Sequence, residues 1–228
     1  MKNPFQDFKL GNDQMKESPS ERIVRANQVV FDSIVEGYMH LVEEEINDLA
    51  WVVEHDRVVK AYGTAVERLR GIQYEQEDIE EFCEALDSSD SIPYRIAGPA
   101  GLYLSAMINH SQDTHIKLTL QDYRRAFHFL GYRLPEGKTL TLQGNGGDFL
   151  GAGLGGGRLV EEGSAGNWCG AGMIKGEILI NGNAGNHTGE WMQGGEIHVT
   201  GHISSVSKSI SGGRIFRAGK PIAPLGAP

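Results

Sequence analysis

The chain has 228 residues, 39% of them hydrophobic, and a formal net charge of -9, which suits one large domain or two small ones with a buried core. The acidic balance disfavours nucleic acid as a partner, because binding a phosphate backbone requires a cationic surface. No stretch approaches the roughly 18 apolar residues of a membrane helix and no apolar signal run opens the chain, so we expect a soluble, cytoplasmic protein with no membrane partner.

Glycine and charge divide the chain into two segments. Of the 31 glycines, 25 lie between Gly131 and Gly226, and the segment up to Leu130 has 23 acidic against 13 basic residues, a net charge of -10. The remainder has 7 acidic and 8 basic residues, a net charge of +1. This contrast predicts two domains, one over 1–130 and one over 131–228, with a boundary near residues 131–138.

The first segment is predicted to be a mostly helical module. Ser18 before Pro19 is typical of a helix start, and apolar residues then recur every three or four positions, as on the buried face of a helix. A short strand is predicted from His115 to Leu120. The predicted helices run from Ser18 through Val42, from Ile46 towards Leu69, from about Glu77 to Leu86, from Leu102 to Ile108 after a break at Gly98–Gly101, and from Gln121 to Leu130.

The second segment contains a repeat of 19 residues without gaps. Its three copies are GNGGDFLGAGLGGGRLVEE at 144–162, GSAGNWCGAGMIKGEILIN at 163–181 and GNAGNHTGEWMQGGEIHVT at 182–200. Less regular units precede and follow them, as the terminal caps of a stack do. Each copy has a glycine at its first, fourth and eighth position, namely Gly144, Gly147, Gly151, Gly163, Gly166, Gly170, Gly182, Gly185 and Gly189.

A repeat of this length and composition predicts a parallel β-helix of about five coils with a C-terminal tail. Glycine supplies corners with φ > 0 at no steric cost, and strands of successive coils pair at about 4.8 Å. Equivalent side chains then form columns. The predicted inward columns are Leu159/Ile178/Ile197 and Leu142/Ile180/Val199, with Glu161 as the exception in the second, and the predicted polar corner ladder is Asp148/Asn167/Asn186.

The pattern G-x-x-G-x-x-x-G, followed by a glycine-cornered strand, resembles the GXGXG repeat domain over about residues 137–219. That domain occurs at the C-terminus of the glutamate synthase large subunit, and it makes up the body of one of the subunits of formylmethanofuran dehydrogenase. The resemblance implies a right-handed β-helix that lacks catalytic residues of its own and serves as a spacer and contact surface. The chain lacks the nucleophilic and cluster cysteines of glutamate synthase, so the resemblance does not extend to that activity.

Several residues of the chain match chemical motifs. Gly151 to Gly156 fit the dinucleotide fingerprint G-x-G-x-x-G, which requires a strand before it and a helix after it, whereas here it falls within one coil. Cys169 has no basic neighbour in sequence and is predicted to be a buried, inert thiol. Three histidines, His187, His198 and His202, lie in the last coils, and His110 and His115 are five residues apart. A metal site would need further ligands at fixed geometry, so we expect neither cofactor nor metal.

The main functional prediction concerns a surface. If the column containing Ile178 points inward, the alternate side chains of the same strands point outward. Both faces of a parallel sheet are usually covered, so the outward side chains are predicted to lie under the chain's own helices or against another subunit. We call them the outward stripe; its residues are Val160, Leu179, His198 and Phe216.

Three functions are compatible with the sequence. No catalytic constellation stands out, so the leading hypothesis is a non-catalytic scaffold or assembly subunit, acting as a homo-oligomer or within a larger protein complex. The alternative is a small enzyme with its site in the cleft between the helical module and the β-helix, using Asp148, His128 or Tyr132. A third hypothesis is an accessory chain of a glutamate-synthase-like complex, beside an amidotransferase or flavin subunit.

Overall fold

The chain folds as four helices followed by a parallel β-solenoid, which confirms the predicted α+β fold class. A computed structural model describes residues 19–45, 53–88, 97–120 and 126–223. The solenoid has about four turns, and its strands form one sheet in chain order. The elements are α1 Pro19–Glu45, α2 His55–Arg68, α3 Gln76–Ser88, α4 Ala97–His110, β1 His115–Thr119, β2 Thr139–Gln143, β3 Gly155–Glu161, β4 Lys175–Ile180, β5 Glu196–Val199, β6 Arg214–Arg217 and β7 Lys220–Ala223.

Three of the predicted helices agree with α1, α2 and α3. Ser18 and residues 46–52, which the first two predictions included, lie outside the described residues. The second predicted helix also included Val53 and Glu54, which is wrong, because α2 begins at His55. The predicted break at Gly98–Gly101 is wrong, because α4 already begins at Ala97. A proline such as Pro99 is tolerated in the first turn of a helix, where its missing N–H would have no helical acceptor.

An aromatic cluster joins three of the helices. The rings of Tyr38, Phe82 and Tyr103 come from α1, α3 and α4, and their centroids lie 5.4 to 5.5 Å apart. The Tyr103 hydroxyl donates a hydrogen bond to the carbonyl oxygen of Ile34 at 2.9 Å. Because all three rings are fully buried, the helices form a packed body and not a set of separate hairpins.

The strands of the solenoid stack in the register that the repeat predicts. Leu159 of β3 pairs with Ile178 of β4, which pairs with Ile197 of β5, and all three are fully buried. The predicted inward column is therefore confirmed. The second predicted inward column, Leu142, Ile180 and Val199, is buried and in register as well. Glu161, the predicted exception, lies in the same column between Leu142 and Ile180 and is also fully buried. The right-handed winding implied by the resemblance stays a prediction.

The solenoid begins earlier than residue 131. β1 pairs in parallel with β2, and the Phe129 N–H donates to the carbonyl oxygen of Asp148 at 2.9 Å. The predicted helix over Gln121–Leu130 is wrong for its described residues 126–130, which form turns of the first coil. Their apolar spacing suits a solenoid corner as well as a helix, since both bury residues at intervals of a few positions.

The helical module closes the first coil of the solenoid at its end. The Ser105 hydroxyl of α4 donates to the carbonyl oxygen of Phe129 at 2.8 Å, and the Asn109 side-chain amide donates to that of Tyr132 at 2.9 Å. Gly101 lies so close to the first coil that an added Cβ would overlap the backbone carbonyl of His128. Buried residues of both parts form one continuous hydrophobic core.

The far end of the sheet is closed by the C-terminal tail. After β6 the chain reverses at Ala218 and Gly219, both with φ > 0, as the two-residue turns of β-hairpins require. The tail then pairs with β6 as the antiparallel strand β7. Pro221 is compatible with an edge strand because it needs no ladder donor there.

The repeat glycines serve two different purposes. Gly151, Gly170 and Gly189 have φ between 66° and 74°, the left-handed region predicted for the corners. Others are required by close approach of the coils instead: a Cβ on Gly163 would overlap the carbonyl of Gly144 in the preceding coil. Glycine is required at those positions because a side chain would overlap the neighbouring coil, and not because of the backbone conformation.

Replacing Gly170 with alanine is expected to destabilise the fold by about 2 to 4 kcal/mol, because the left-handed backbone is strained for alanine and the new Cβ would overlap Cδ1 of Ile197. Gly172→Ala is the matched control. Its φ is 64°, yet an added Cβ meets nothing within 4 Å, so only the strain of about 1 kcal/mol applies. Urea unfolding measures both; equal losses would contradict the predicted overlap.

Candidate functional site

The outward stripe runs across four strands and remains partly exposed. Its residues pair with one another from β3 to β6, and each is half-buried. The ring of His198 stacks on that of Phe216 with centroids 4.4 Å apart. The stripe is therefore a continuous apolar and aromatic ridge, about 14 Å long at the usual strand spacing.

A row of paired charges borders the stripe on the side where the strands begin. Arg158 forms an ion pair with Glu177, and Arg214 forms one with Glu196. Nε2 of His198 lies 2.9 Å from a carboxylate oxygen of Glu196. The hydrogen bond with His198, helped by Arg214, lowers the pKa of Glu196. From β3 to β6 the row reads positive, negative, negative, positive, so its charges cancel.

The described helices do not lie on the outward stripe. In the part of the chain that the structure describes, α3 contacts β1, which is two strands away from the first residue of the stripe. Further contacts join α4 to the first coil at residues 128–132 and Tyr62 of α2 to Tyr132. The expectation that the chain's own helices cover this face is therefore not met by the described helices.

The predicted polar ladder is present and extends further than predicted. The Asp148 N–H donates to Nδ1 of His128 at 2.9 Å, and the Asn167 N–H donates to Oδ1 of Asp148 at 2.7 Å. The Asn186 N–H donates in turn to Oδ1 of Asn167 at 2.8 Å. His128 and Asp148, which the enzyme hypothesis singled out, are thus brought together, but both side chains accept bonds from the backbone of the next coil.

Tyr132, the third residue of that hypothesis, is buried against the helices. Its ring packs on that of Tyr62 with centroids 5.1 Å apart, and the guanidinium of Arg133 lies 5.2 Å from the Tyr132 ring centroid. Burial raises the pKa of Tyr132. The residue therefore joins the helical module to the solenoid, and its hydroxyl is poorly suited to proton transfer near neutral pH.

A cleft of about 1030 Å³ opens in the helical module, between α1, the start of α3 and the chain after α4. Its lining includes Glu75, Asp78, Asp113 and His110, whose Nδ1 lies 2.9 Å from a backbone carbonyl oxygen of α4. The three residues of the enzyme hypothesis do not line this cleft. The predicted junction residues and the cleft are therefore separate features.

A stacked aromatic ladder was missed by the sequence reasoning. The rings of Phe129, Phe149, Trp168 and His187 stack with centroids 4.6, 4.9 and 5.7 Å apart. Each of the four residues has φ between 56° and 65°, and this left-handed backbone costs about 1 kcal/mol per residue. The stacking of one aromatic pair contributes roughly 0.5 to 1.5 kcal/mol of stability, which is comparable. Each of these aromatic residues directly follows a member of the polar ladder in the sequence. This repeated polar–aromatic pair could have indicated the stacked ladder.

Glu161 places a carboxyl group inside the solenoid. The side chain is fully buried; Oε1 accepts the Gly163 N–H at 2.8 Å, and Oε2 has no hydrogen-bond partner. Burial raises its pKa from 4.5 to about 7. Cys169 is also fully buried, and burial, with the nearby Glu161, raises the pKa of its thiol. The thiol is therefore a poor nucleophile, as its sequence context indicated.

Among the described residues, the motifs considered for a cofactor and for a metal are not arranged as binding sites. The glycine run from Gly151 to Gly156 leads from a turn into the strand β3 and not into a helix. Within residues 19–45, 53–88, 97–120 and 126–223, no group of three or more His, Cys, Asp or Glu side chains is placed to hold a metal ion. Over the same ranges, no helix is both long enough and apolar enough to cross a bilayer.

Comparisons with known proteins add no family assignment. A scan against family models, a search of curated proteins and a search of solved structures each find no match. The resemblance to the GXGXG domain therefore stays a prediction from the repeat alone. A proposal for the function therefore rests on the structure of the chain, above all on the outward stripe and the paired charges beside it.

Proposed function

We propose that this chain is a non-catalytic scaffold or assembly subunit, and that the outward face of its solenoid sheet is the contact surface. The observation that carries the proposal is the position of the outward stripe, on the one face of the parallel sheet that the described helices leave accessible. Both faces of a parallel sheet are normally covered, and contiguous apolar patches on monomeric proteins commonly mark interaction sites.

The rigidity of the sheet supports the same function. The stripe is carried by strands whose inward side chains, such as Leu159 and Ile178, are fully buried. Its residues are therefore held in fixed relative positions before any partner arrives, which reduces the conformational entropy lost on binding. The resemblance of the repeat to a domain that acts as a spacer and contact surface favours this function as well.

Replacing Leu179 with arginine is expected to abolish assembly without unfolding the chain, because a charge in the centre of the stripe would be buried without a partner in the contact. Size-exclusion chromatography with light scattering measures the mass of the native species, alone and with any co-purifying partner. Ile174→Arg, at an exposed aliphatic residue that precedes β4 and lies outside the outward stripe, is the matched control. A chain that is monomeric and partner-free before any substitution would contradict the proposal.

A further inference from the structure

We propose that the outward face binds a second copy of this chain, face to face, with a two-fold axis that runs along the stack of strands. This inference rests on the proposed function and identifies its partner. In this arrangement each strand lies opposite the same strand of the other copy, in the reverse direction. Each residue of the outward stripe then meets its own equivalent, with Val160 against Val160 and Leu179 against Leu179.

Two-fold symmetry leaves two aligned ways to place the stripe on itself. In aligned sheet packing, strand directions stay within about 30° of each other, so in that class the axis runs either along the stack or along the strands. An axis along the strands, centred on the stripe, reverses the strand order, so that β3 lies opposite β6 and β4 opposite β5. These two arrangements bring different residues together and can be told apart.

The row of charges distinguishes the two arrangements. With the axis along the strands, Arg158 would face Arg214 and Glu177 would face Glu196, so every opposed pair would have like charges. With the axis along the stack, the charged row faces the row at the other end of the strands, where Arg158 meets Glu162. Among the six charged residues of the face, Lys117 alone meets its own equivalent, because it lies at the edge of the sheet in the row of Val160. Because like charges in contact weaken association, the positive-negative-negative-positive order favours the axis along the stack.

Charge also favours a second copy as the occupant. The outward side chains from β1 to β6 include three bases and three acids, so this face is neutral although the whole chain carries -9. Two copies can therefore meet here without the repulsion that their remaining surfaces would produce. The six charged residues are Lys117, Arg158, Arg214, Glu177, Glu196 and, one position after the end of β3, Glu162.

The size of the face is that of a weak interface. Six strands at about 4.8 Å, presenting three outward rows, offer roughly 500 Å² per copy. The total of roughly 1000 Å² lies at the lower limit for a specific interface. We therefore expect a dimer whose fraction rises with concentration over the micromolar range, and not a permanent one.

Cross-linking through single introduced cysteines tests the arrangement. Val160→Cys is treated with a short bismaleimide, and the native chain is the control, since Cys83 and Cys169 are both buried. With the axis along the stack, two copies of the variant become linked to each other. With the axis along the strands, position 160 faces position 216 of the other copy and lies about 14 Å along the stack from its own equivalent. In that case Val160→Cys does not link to itself, and only a mixture of Val160→Cys and size-tagged Phe216→Cys becomes linked.

Light scattering over the same concentrations completes the test. A dimer that Leu179→Arg weakens at least tenfold, together with linkage of Val160→Cys to itself, is the result expected. A native chain that stays monomeric at the highest concentration, or linkage only between positions 160 and 216, would overturn the inference. If the monomeric chain instead retains a defined heteromeric partner that Leu179→Arg releases, the proposed contact surface stands while the second copy is ruled out.

Discussion

Glu161→Gln is expected to remove a pH-dependent loss of stability of about 3 kcal/mol. The carboxyl group has a pKa of about 7 in the fold, against 4.5 without burial. Below pH 4.5 both states hold the proton and the group costs no stability. As the pH rises towards 7, the unfolded chain has released the proton and the folded chain still holds it, so stability falls by about 1.4 kcal/mol per pH unit and levels off above pH 7.

The measurement is urea unfolding of both chains from pH 4 to pH 8. The difference between the native chain and Glu161→Gln isolates this group from the other titrating residues. Glu162→Gln is the matched control, because the neighbouring carboxylate is exposed and its removal should leave the slope between pH 4.5 and 7 intact. If the native chain and Glu161→Gln show parallel pH profiles, Glu161 does not titrate inside the solenoid.

Gly101→Ala is expected to cost at least about 3 kcal/mol and to loosen the helical module from the solenoid. The added Cβ would overlap the backbone carbonyl of His128, and backbone yields less readily than the end of a flexible side chain, so the cost lies at the upper end of that for overpacking. The bonds that Ser105 and Asn109 make to the first coil depend on the same close approach.

Gly63→Ala is the control for this second substitution. Gly63 lies in α2, and an added Cβ there meets nothing within 4 Å, so alanine should stabilise the chain by about 0.5 to 1 kcal/mol through its higher helix propensity. Thermal unfolding should therefore shift in opposite directions for the two variants. Hydrogen exchange of residues 128–132 reports the docking, and unchanged protection in Gly101→Ala would contradict the predicted separation.

The repeat allowed the solenoid to be predicted in detail, while the start of the stack could not be located. Periodic columns constrain one another, so the alignment of Ile178 with Ile197 follows from the spacing alone. The first coil lacks that support. Phe129, Leu130 and Gly131 match Phe149, Leu150 and Gly151, but the spacing is 20 residues and not 19, and the surrounding segment resembles a helix.

The position of the helices relative to the sheet was beyond the reach of the sequence for a different reason. Periodicity identifies the buried face of each element but not the element that covers it. The close approach at Gly101 depends on a backbone carbonyl contributed by residue 128, which no pattern within α4 indicates. The outward stripe could be named from alternation, whereas its accessibility depended on where four helices dock.

The two ends of the stack are closed by different means, helices at one end and a reversed strand at the other. Every coil between them contacts only its neighbours, so neither closure depends on how many coils lie between. Removing or duplicating one whole 19-residue unit should therefore leave both closures intact and shorten or lengthen the sheet by one strand, about 4.8 Å. The number of repeat units therefore sets the distance between the two closed ends of the stack.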